Sequence, residues 1–330
     1  MTTQMTVFLS SLGVLAATAI AYALMRYRQK RARNVGSVSE IRLYPIKSCP
    51  PLFLTSAECT ETGLKYKNVH DRQFVLVGEK GFIAIRANLK LLELQVEYDE
   101  VKDCLVLQAP GMKSCLHIPL QAPEFDSSKV KSFVWYDKRE TFYYDYGAEY
   151  SEWFTEYLGE QCSLGYAHAN ISREINPEMT YNHDPVHNDT RLLYPNSHPY
   201  LVANQASLED LNSRLKEQVT MSSFRPNIIV GQEGASTSLR PYEEDDWRVI
   251  RIGGRVTMCN ARPCPRCPMI YVDYDKRELR ANKEPMTTLL KYRRGQEKKD
   301  QCKTVFGINA AVKVCGHFSL GDNVSVTAAR

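Results

Sequence analysis

Apolar positions along most of this chain come in short runs separated by Gly, Asp, Asn and Pro, the signature of many short strands. Residues 37–43 alternate apolar and polar. The runs at 74–77 and 82–85 flank a turn at Glu79-Lys80-Gly81, and 92–98 with 104–107 form a second hairpin pattern. Helical spacing is confined to a few places. Trp153, Phe154, Tyr157 and Leu158 recur at that spacing between 149 and 159, where the aromatics are core packing. A strand–helix–strand pattern opens at Tyr200. Its helix, 205–218, puts Leu208, Leu211 and Leu215 on one face, with Ser207 and Asp210 at capping-box spacing. Strands at 228–230, 247–252 and 255–258 follow, the last two joined by Gly253-Gly254, a strong hairpin turn. Pro285 precedes a short helix carrying Leu289, Leu290 and Tyr292, and final strands run at 311–318 and 323–327 around Gly321-Asp322. The pattern predicts an α+β fold that is mainly β, barrel-like, with peripheral helices.

The amino terminus reads differently. Residues 6–25 are twenty positions without a charge, just long enough to span a bilayer as a helix. Arg26, Arg28, Lys30, Arg31 and Arg33 follow, and no acidic residue occurs before Glu40. The positive-inside bias then leaves the globular part facing the cytosol. A cleaved signal peptide competes, because Ala21-Tyr22-Ala23 has a small-x-small pattern, but its basic cluster lies on the wrong side. The reading is a transmembrane signal anchor at 6–25 and a basic juxtamembrane linker at 26–36.

Charge changes this picture only locally. The chain has 42 basic and 38 acidic residues, and without the five basic residues of the flank the body carries 37 against 38. A near-neutral body gives no footprint for nucleic acid. Ten cysteines on the cytosolic side stay reduced or bind metal, and the sequons at Asn170, Asn188 and Asn323 go unused. The polar stretch 171–196, with Pro177, Pro185 and Pro195, reads as a connecting loop. Within it, Pro185 between His183 and His187 rules out a helical metal-binding pair.

The candidate chemistry lies in Arg262-Pro263-Cys264-Pro265-Arg266-Cys267, followed by the β-prone run 269–273. Two prolines stiffen a loop that is neither helix interior nor central strand. They present two thiols and a guanidinium at its tip, and the nearby positive charge favours a thiolate. Cys267 has the setting of a metal ligand or nucleophile. Structural zinc needs a second close pair, and downstream only Cys302 and Cys315 remain, too far apart. A thioredoxin-like pair belongs at a helix start, whereas a β-prone run follows here. For Cys259 and Cys264, buried inert thiols remain an open alternative.

These residues resemble a MOSC domain, the module that binds the molybdenum cofactor. The family's Pro-Cys-x-Arg-Cys loop stands as Pro263 to Cys267, with Val272-Asp273 after it. Other blocks match in family order. They are Tyr44-Pro45-Ile46-Lys47-Ser48 with Asp71-Arg72 and Phe74; Tyr200-Leu201-Val202, 206–215 and 224–230; and Phe306-Gly307 with Asn309. Together they cover about 38 to 326 and are similar to the mitochondrial amidoxime-reducing components, whose chains also open with an anchor. The resemblance implies a β-rich MOSC N-terminal barrel-like domain over 37–170 and a MOSC β-barrel over 171–327. It implies Mo-molybdopterin bound through Cys267, the ligand to the metal, with Lys47, Ser48, Arg72, Ser197, His198, Arg225, Asn227, Pro265, Arg266 and Asn309 around the pterin and its phosphate. Arg forks suit phosphate, and Lys acts as a point charge. Two positions depart from the family pattern: Ser197-His198-Pro199 replaces a Thr-Ser pair before Pro, and Asn309 replaces an aromatic.

The activity implied is reduction of N-hydroxylated compounds such as amidoximes and hydroxylamines at the mitochondrial outer membrane. Asp273 is a candidate for proton handling or for ordering the loop. The chain has no Gly-x-Gly-x-x-Gly after a strand for flavin or nicotinamide, so electrons come from a partner. The resemblance implies cytochrome b5 and its NADH-dependent reductase. The alternative is a cofactor carrier or sulfurtransferase using Cys267, like the MOSC portion of cofactor sulfurases, although no further domain is long enough for their pyridoxal phosphate.

Overall fold

In a computed structural model, residues 32–171, 173, 192–236, 238–296, 298 and 300–328 are described. The predicted anchor, most of the linker and His183 and His187 lie outside them. Among the described residues no helix is long and apolar enough to cross a membrane.

The main sheet has eight strands, numbered here among themselves: β1 (Arg33–Leu43), β2 (Leu52–Leu54), β3 (Tyr200–Asn204), β4 (Ile228–Gly231), β5 (Trp247–Ile252), β6 (Val256–Pro265), β7 (Val305–Val314) and β8 (Asn323–Ala328). Hydrogen bonding runs β4-β3-β7-β6-β5-β8-β1, and β1 pairs back onto β4, so seven strands close a barrel and β2 hangs on β1. Closure removes the free edges a sheet would otherwise expose. All pairs are antiparallel except β3 with β4, which are joined through helix α2 (Gln205–Ser213). Three smaller sheets of three, five and four strands, most of them drawn from residues 56–166, surround the barrel. The halves of the chain interleave: β1 sits between two carboxy-terminal strands, and Gly316–Ser319 pairs with Ser56–Thr60.

The hairpin predicted over 92–107 forms with strands Gln95–Asp99 and Cys104–Gln108, the one over 247–258 forms as well, and α1 (Ala148–Leu158) buries the four residues read as its core face. Several expectations are corrected. Strand β1 does not alternate; it is buried almost throughout, as a strand covered on both faces must be. Gly36, at φ 143°, sits at its bulge, where an added Cβ would lie 1.9 Å from the Gly231 carbonyl. Helix α2 stops at Ser213, five residues early, and its cap is Asn204, whose side chain accepts from the Ala206 amide. Ser207 instead donates to the buried carboxylate of Glu244. The second strand of the 74–85 hairpin shrinks to Gly81–Phe82. Residues 268–271 wind into a 3-10 turn, with only Val272–Asp273 extended beyond it.

The proline loop is also corrected, because residues through Pro265 belong to β6. This is possible because β5 covers β6 only as far as Cys259, leaving one edge free beyond. Bulges at Asn260/Arg262 and Pro263/Pro265 then absorb the missing amide donors against β7.

Candidate functional site

Four separated stretches of chain meet near the carboxyl end of β6. Just after β1, Tyr44, Lys47 and Ser48 enter a tight turn in which the Lys47 amide donates to the Phe74 carbonyl. Arg72 lies on the neighbouring segment, and its amide donates to Tyr44 O. Arg225 and Asn227 lead into β4, while Arg266 and Cys267 leave β6. Ser48, Arg72 and Arg225 have φ of 73°, 52° and 56°, in the left-handed region rarely used by residues with a side chain. Each such position costs on the order of 1 kcal/mol and persists only where its surroundings over-determine it.

The frame is polar and buried. Asp71 accepts from the Tyr44 amide and from Asn227 Nδ2, both at 2.9 Å, and pairs with Arg72. Asn227 also reaches Arg42 O and accepts from the Leu201 amide, which ties β1, β3 and β4 together. On this frame the Tyr44 ring carries two guanidinium groups, Arg225 at 4.2 Å and Arg72 at 4.8 Å. Arg225 donates to Cys49 O at 2.8 Å. The Trp135 ring carries two more cations, Arg173 at 4.1 Å and Lys47 Nζ at 4.7 Å. Lys47 is 6% exposed and donates to Tyr194 O and Asn196 Oδ1.

Among the described residues, Lys47, Arg173, Arg225 and Arg266 have no carboxylate within ion-pair distance. Burial depresses the Lys47 ammonium well below the usual lysine range, Arg72, Arg173 and Arg225 push it further, and Cys267 opposes them. Burial likewise lowers Arg173 to about 10.

The β6 tip is joined to this cluster through Arg266. Its Nη2 donates to Phe224 O at 2.7 Å, one residue before Arg225, and its Nη1 lies 3.0 Å from Cys264 Sγ. The guanidinium that the sequence placed beside Cys267 is thus held on Cys264. Cys267 is exposed, with an extended backbone (φ −110°, ψ 171°) ahead of Pro268. Cys264 lies in strand β6, so the two thiols lack the helix-start geometry of a redox pair.

The other predicted positions fall as follows. Ser197 and His198 follow Asn196, and the His198 ring is 3.1 Å from Ser197 Oγ. Pro265 pairs with Val305 at the end of β6. Asn309 stands in register with Leu201 and Arg262. Asp273 is held by its own loop: it accepts from the amides of Asp275 and Lys276 and pairs with Arg280 at 2.7 Å.

A phosphate-bearing, sulfur-ligated group fits this donor set. Among the described residues, Tyr44 Oη, Tyr274 Oη, Arg266 Nε and Asn309 Nδ2 are buried without a partner, and Lys47, Arg173, Arg225 and Arg266 lack counter-ions. A polyanion with several acceptors satisfies both at once.

Residues 35–161 match the MOSC N-terminal beta barrel domain, and residues 189–325 match the MOSC domain. Mitochondrial amidoxime reducing component 2 of Bos taurus is 32% identical over 309 residues, spanning 90% of this chain and 85% of that protein. The chain belongs to the amidoxime reducing component family. The human component 2 is 31% identical and human component 1 29% identical, each over 90% of this chain and 85% of its own.

Sequence reasoning missed several residues at this candidate site. Tyr44 was visible only as part of a motif, and its role as a platform for two arginines depends on Arg72 and Arg225 converging from 28 and 181 residues away. Trp135, one residue past the strand Val130–Val134, gave no signal. Arg173 lay in a stretch read as connecting loop, yet its guanidinium bonds to Leu193 O and Pro195 O. Tyr274, directly after the Val272-Asp273 motif, was within reach of the sequence reading.

Proposed function

We propose that this protein is a molybdenum-cofactor-dependent reductase of N-hydroxylated compounds, amidoximes and hydroxylamines among them. The observation that carries the reading is a set of buried and half-buried cations with no carboxylate partner among the described residues, beside an exposed cysteine. The bound group supplies the two-electron chemistry that removes the N-hydroxyl oxygen. Cys267 is the protein's ligand to the metal. Arg225, Arg72 and Lys47 neutralise the phosphate and pterin, with Arg266 and Asn309 donating from β6 and β7. Ser48, Ser197, His198, Asn227 and Pro265 shape the cradle. The Phe82 and Trp135 rings exclude water from Lys47, strengthening its attraction for an anion. Asp273 orders the turn after the Cys267 loop rather than moving a proton.

The membrane reading belongs to the same proposal. Residues 6–25 anchor the chain in the mitochondrial outer membrane with the domains 37–170 and 171–327 in the cytosol. Cytochrome b5 and its NADH-dependent reductase deliver the electrons. The exposed sulfur of Cys267 also suits a cofactor carrier or sulfurtransferase. Benzamidoxime reduction by molybdenum-loaded protein with both electron partners separates the two. Turnover that depends on Cys267 supports the reductase, and loaded protein without turnover supports the carrier.

A further inference from the structure

The surface beside the Cys267 loop has a charge unlike the rest of the body. Residues 291–303 carry six cations, Lys291, Arg293, Arg294, Lys298, Lys299 and Lys303, against two acids, Glu297 and Asp300. Asp300 is buried and bonded to Arg262 and Lys303, so it adds little negative charge to the surface. Lys291, Arg294, Lys298 and Lys303 are exposed. Lys291 and Lys298 have no carboxylate partner among the described residues, and Arg294 reaches only the Gln301 carbonyl.

This loop is fastened at both its neighbours. Toward the site, the Arg266 amide donates to Thr304 O at 2.8 Å, and Arg262 holds Asp300 at 2.9 Å. On the other side, Arg293 pairs with Asp245 at 2.7 Å, within the short 3-10 turn Glu243–Asp246. Glu243 of that same turn pairs with Arg33 at 3.0 Å. Arg33 ends the basic flank that follows the apolar run 6–25. One acidic turn therefore bridges the chain's approach from the anchor to the basic loop. The body apart from the flank is near neutral, which makes this local excess of cations stand out.

We propose that the 291–303 loop is a membrane-docking surface that binds anionic phospholipid headgroups and seats the Cys267 loop at the bilayer interface. The inference rests on the reading of 6–25 as an anchor. Cations close to an anionic leaflet are attracted within about a Debye length, and the tether holds the loop within reach. An acidic electron-carrier protein is the competing occupant, and the ion-pair link from Arg33 through the Glu243–Asp246 turn to Arg293 favours lipid.

The test uses the full-length protein in phosphatidylcholine nanodiscs with and without phosphatidylserine, read by amide hydrogen exchange across 291–303. Exchange there is expected to slow about tenfold when phosphatidylserine is present. The slowing should vanish at high salt and in the Lys291→Glu/Arg294→Glu/Lys298→Glu variant. Should that variant not fold, Lys291→Gln/Lys298→Gln is expected to weaken the slowing in the same direction. Equal exchange in both lipids, slowing that survives charge reversal, or slowing produced only by added cytochrome b5 haem domain overturns the proposal. A chain that fails to stay with phosphatidylcholine nanodiscs at all overturns the anchor reading instead, and the docking surface with it.

Discussion

Two sets of cations in this molecule are withdrawn from solvent to different degrees and differently completed. At the base of the loop after α3 (Met286–Tyr292), Arg262 and Asp300 form an ion pair with both side chains 1% exposed, and Asp273 likewise holds Arg280. Around Tyr44 and Trp135, the buried Lys47 and the half-buried Arg173 and Arg225 pack against rings and carbonyls with no carboxylate among the described residues. The first set is closed within the chain, as structural charges must be, because an uncompensated buried charge is costly. The second has no counter-charge among the described residues, and a bound anion would complete it. Burial alone does not mark a functional cation; the missing counter-charge does.

That contrast is open to direct attack. The largest effect is expected from Cys267→Ser, which should abolish turnover and change the metal's spectroscopy while leaving thermal melting unchanged. Unaltered turnover would remove Cys267 from the metal. In the closed set, Arg262→Ala should cost about 3 kcal/mol by leaving the buried Asp300 with only the half-exposed Lys303, measured by urea unfolding. A loss well below 1 kcal/mol would show that the pair is not the structural bolt described here.

A third buried group gives a pH signature. Burial, and next Asp245, raise the Glu244 carboxyl from 4.5 to about 7, although Ser207 and Asn204 donate to it. Because the folded value exceeds the unfolded one, its contribution is fully present below pH 4.5 and is lost as pH rises through about 7. Glu244→Gln should therefore gain up to about 3 kcal/mol over wild type at pH 8 and nothing at pH 4, read from paired unfolding curves. A pH-independent difference would contradict the assignment.

The smallest effect sharpens the open set. Lys47 is depressed by burial and by three arginines, so stability is lost as pH falls through its folded value and recovered toward the unfolded 10.5. In cofactor-free protein, Lys47→Met should be about 1 kcal/mol more stable at neutral pH and flatten that alkaline rise. With cofactor bound the sign should reverse. Stabilisation in both states would mean that Lys47 faces no anion.

How much of this was legible in the sequence depends on range. Local patterns gave the hairpins, α1 and the mainly β class, because alternation and turn residues act over a few positions. They misjudged α2, where Ser207 had a partner 37 residues away in Glu244, and β6, where prolines are tolerated only because β5 ends early. The β1 pattern also failed, since its second face is covered by chain that the local window cannot see. The motif residues Lys47, Arg72, Arg225, Arg266 and Cys267 were legible one by one. That Arg72 and Arg225 share one ring, and Lys47 and Arg173 another, follows only from the closed barrel and the segments crossing it.

The account is tested most directly by molybdenum and phosphorus analysis of purified full-length protein alongside Arg225→Ala and Arg33→Ala. Molybdenum accompanied by cofactor phosphate is predicted in wild type and in Arg33→Ala, with occupancy falling sharply in Arg225→Ala. Absence of molybdenum from loaded wild-type protein, or equal losses in the two variants, would contradict it.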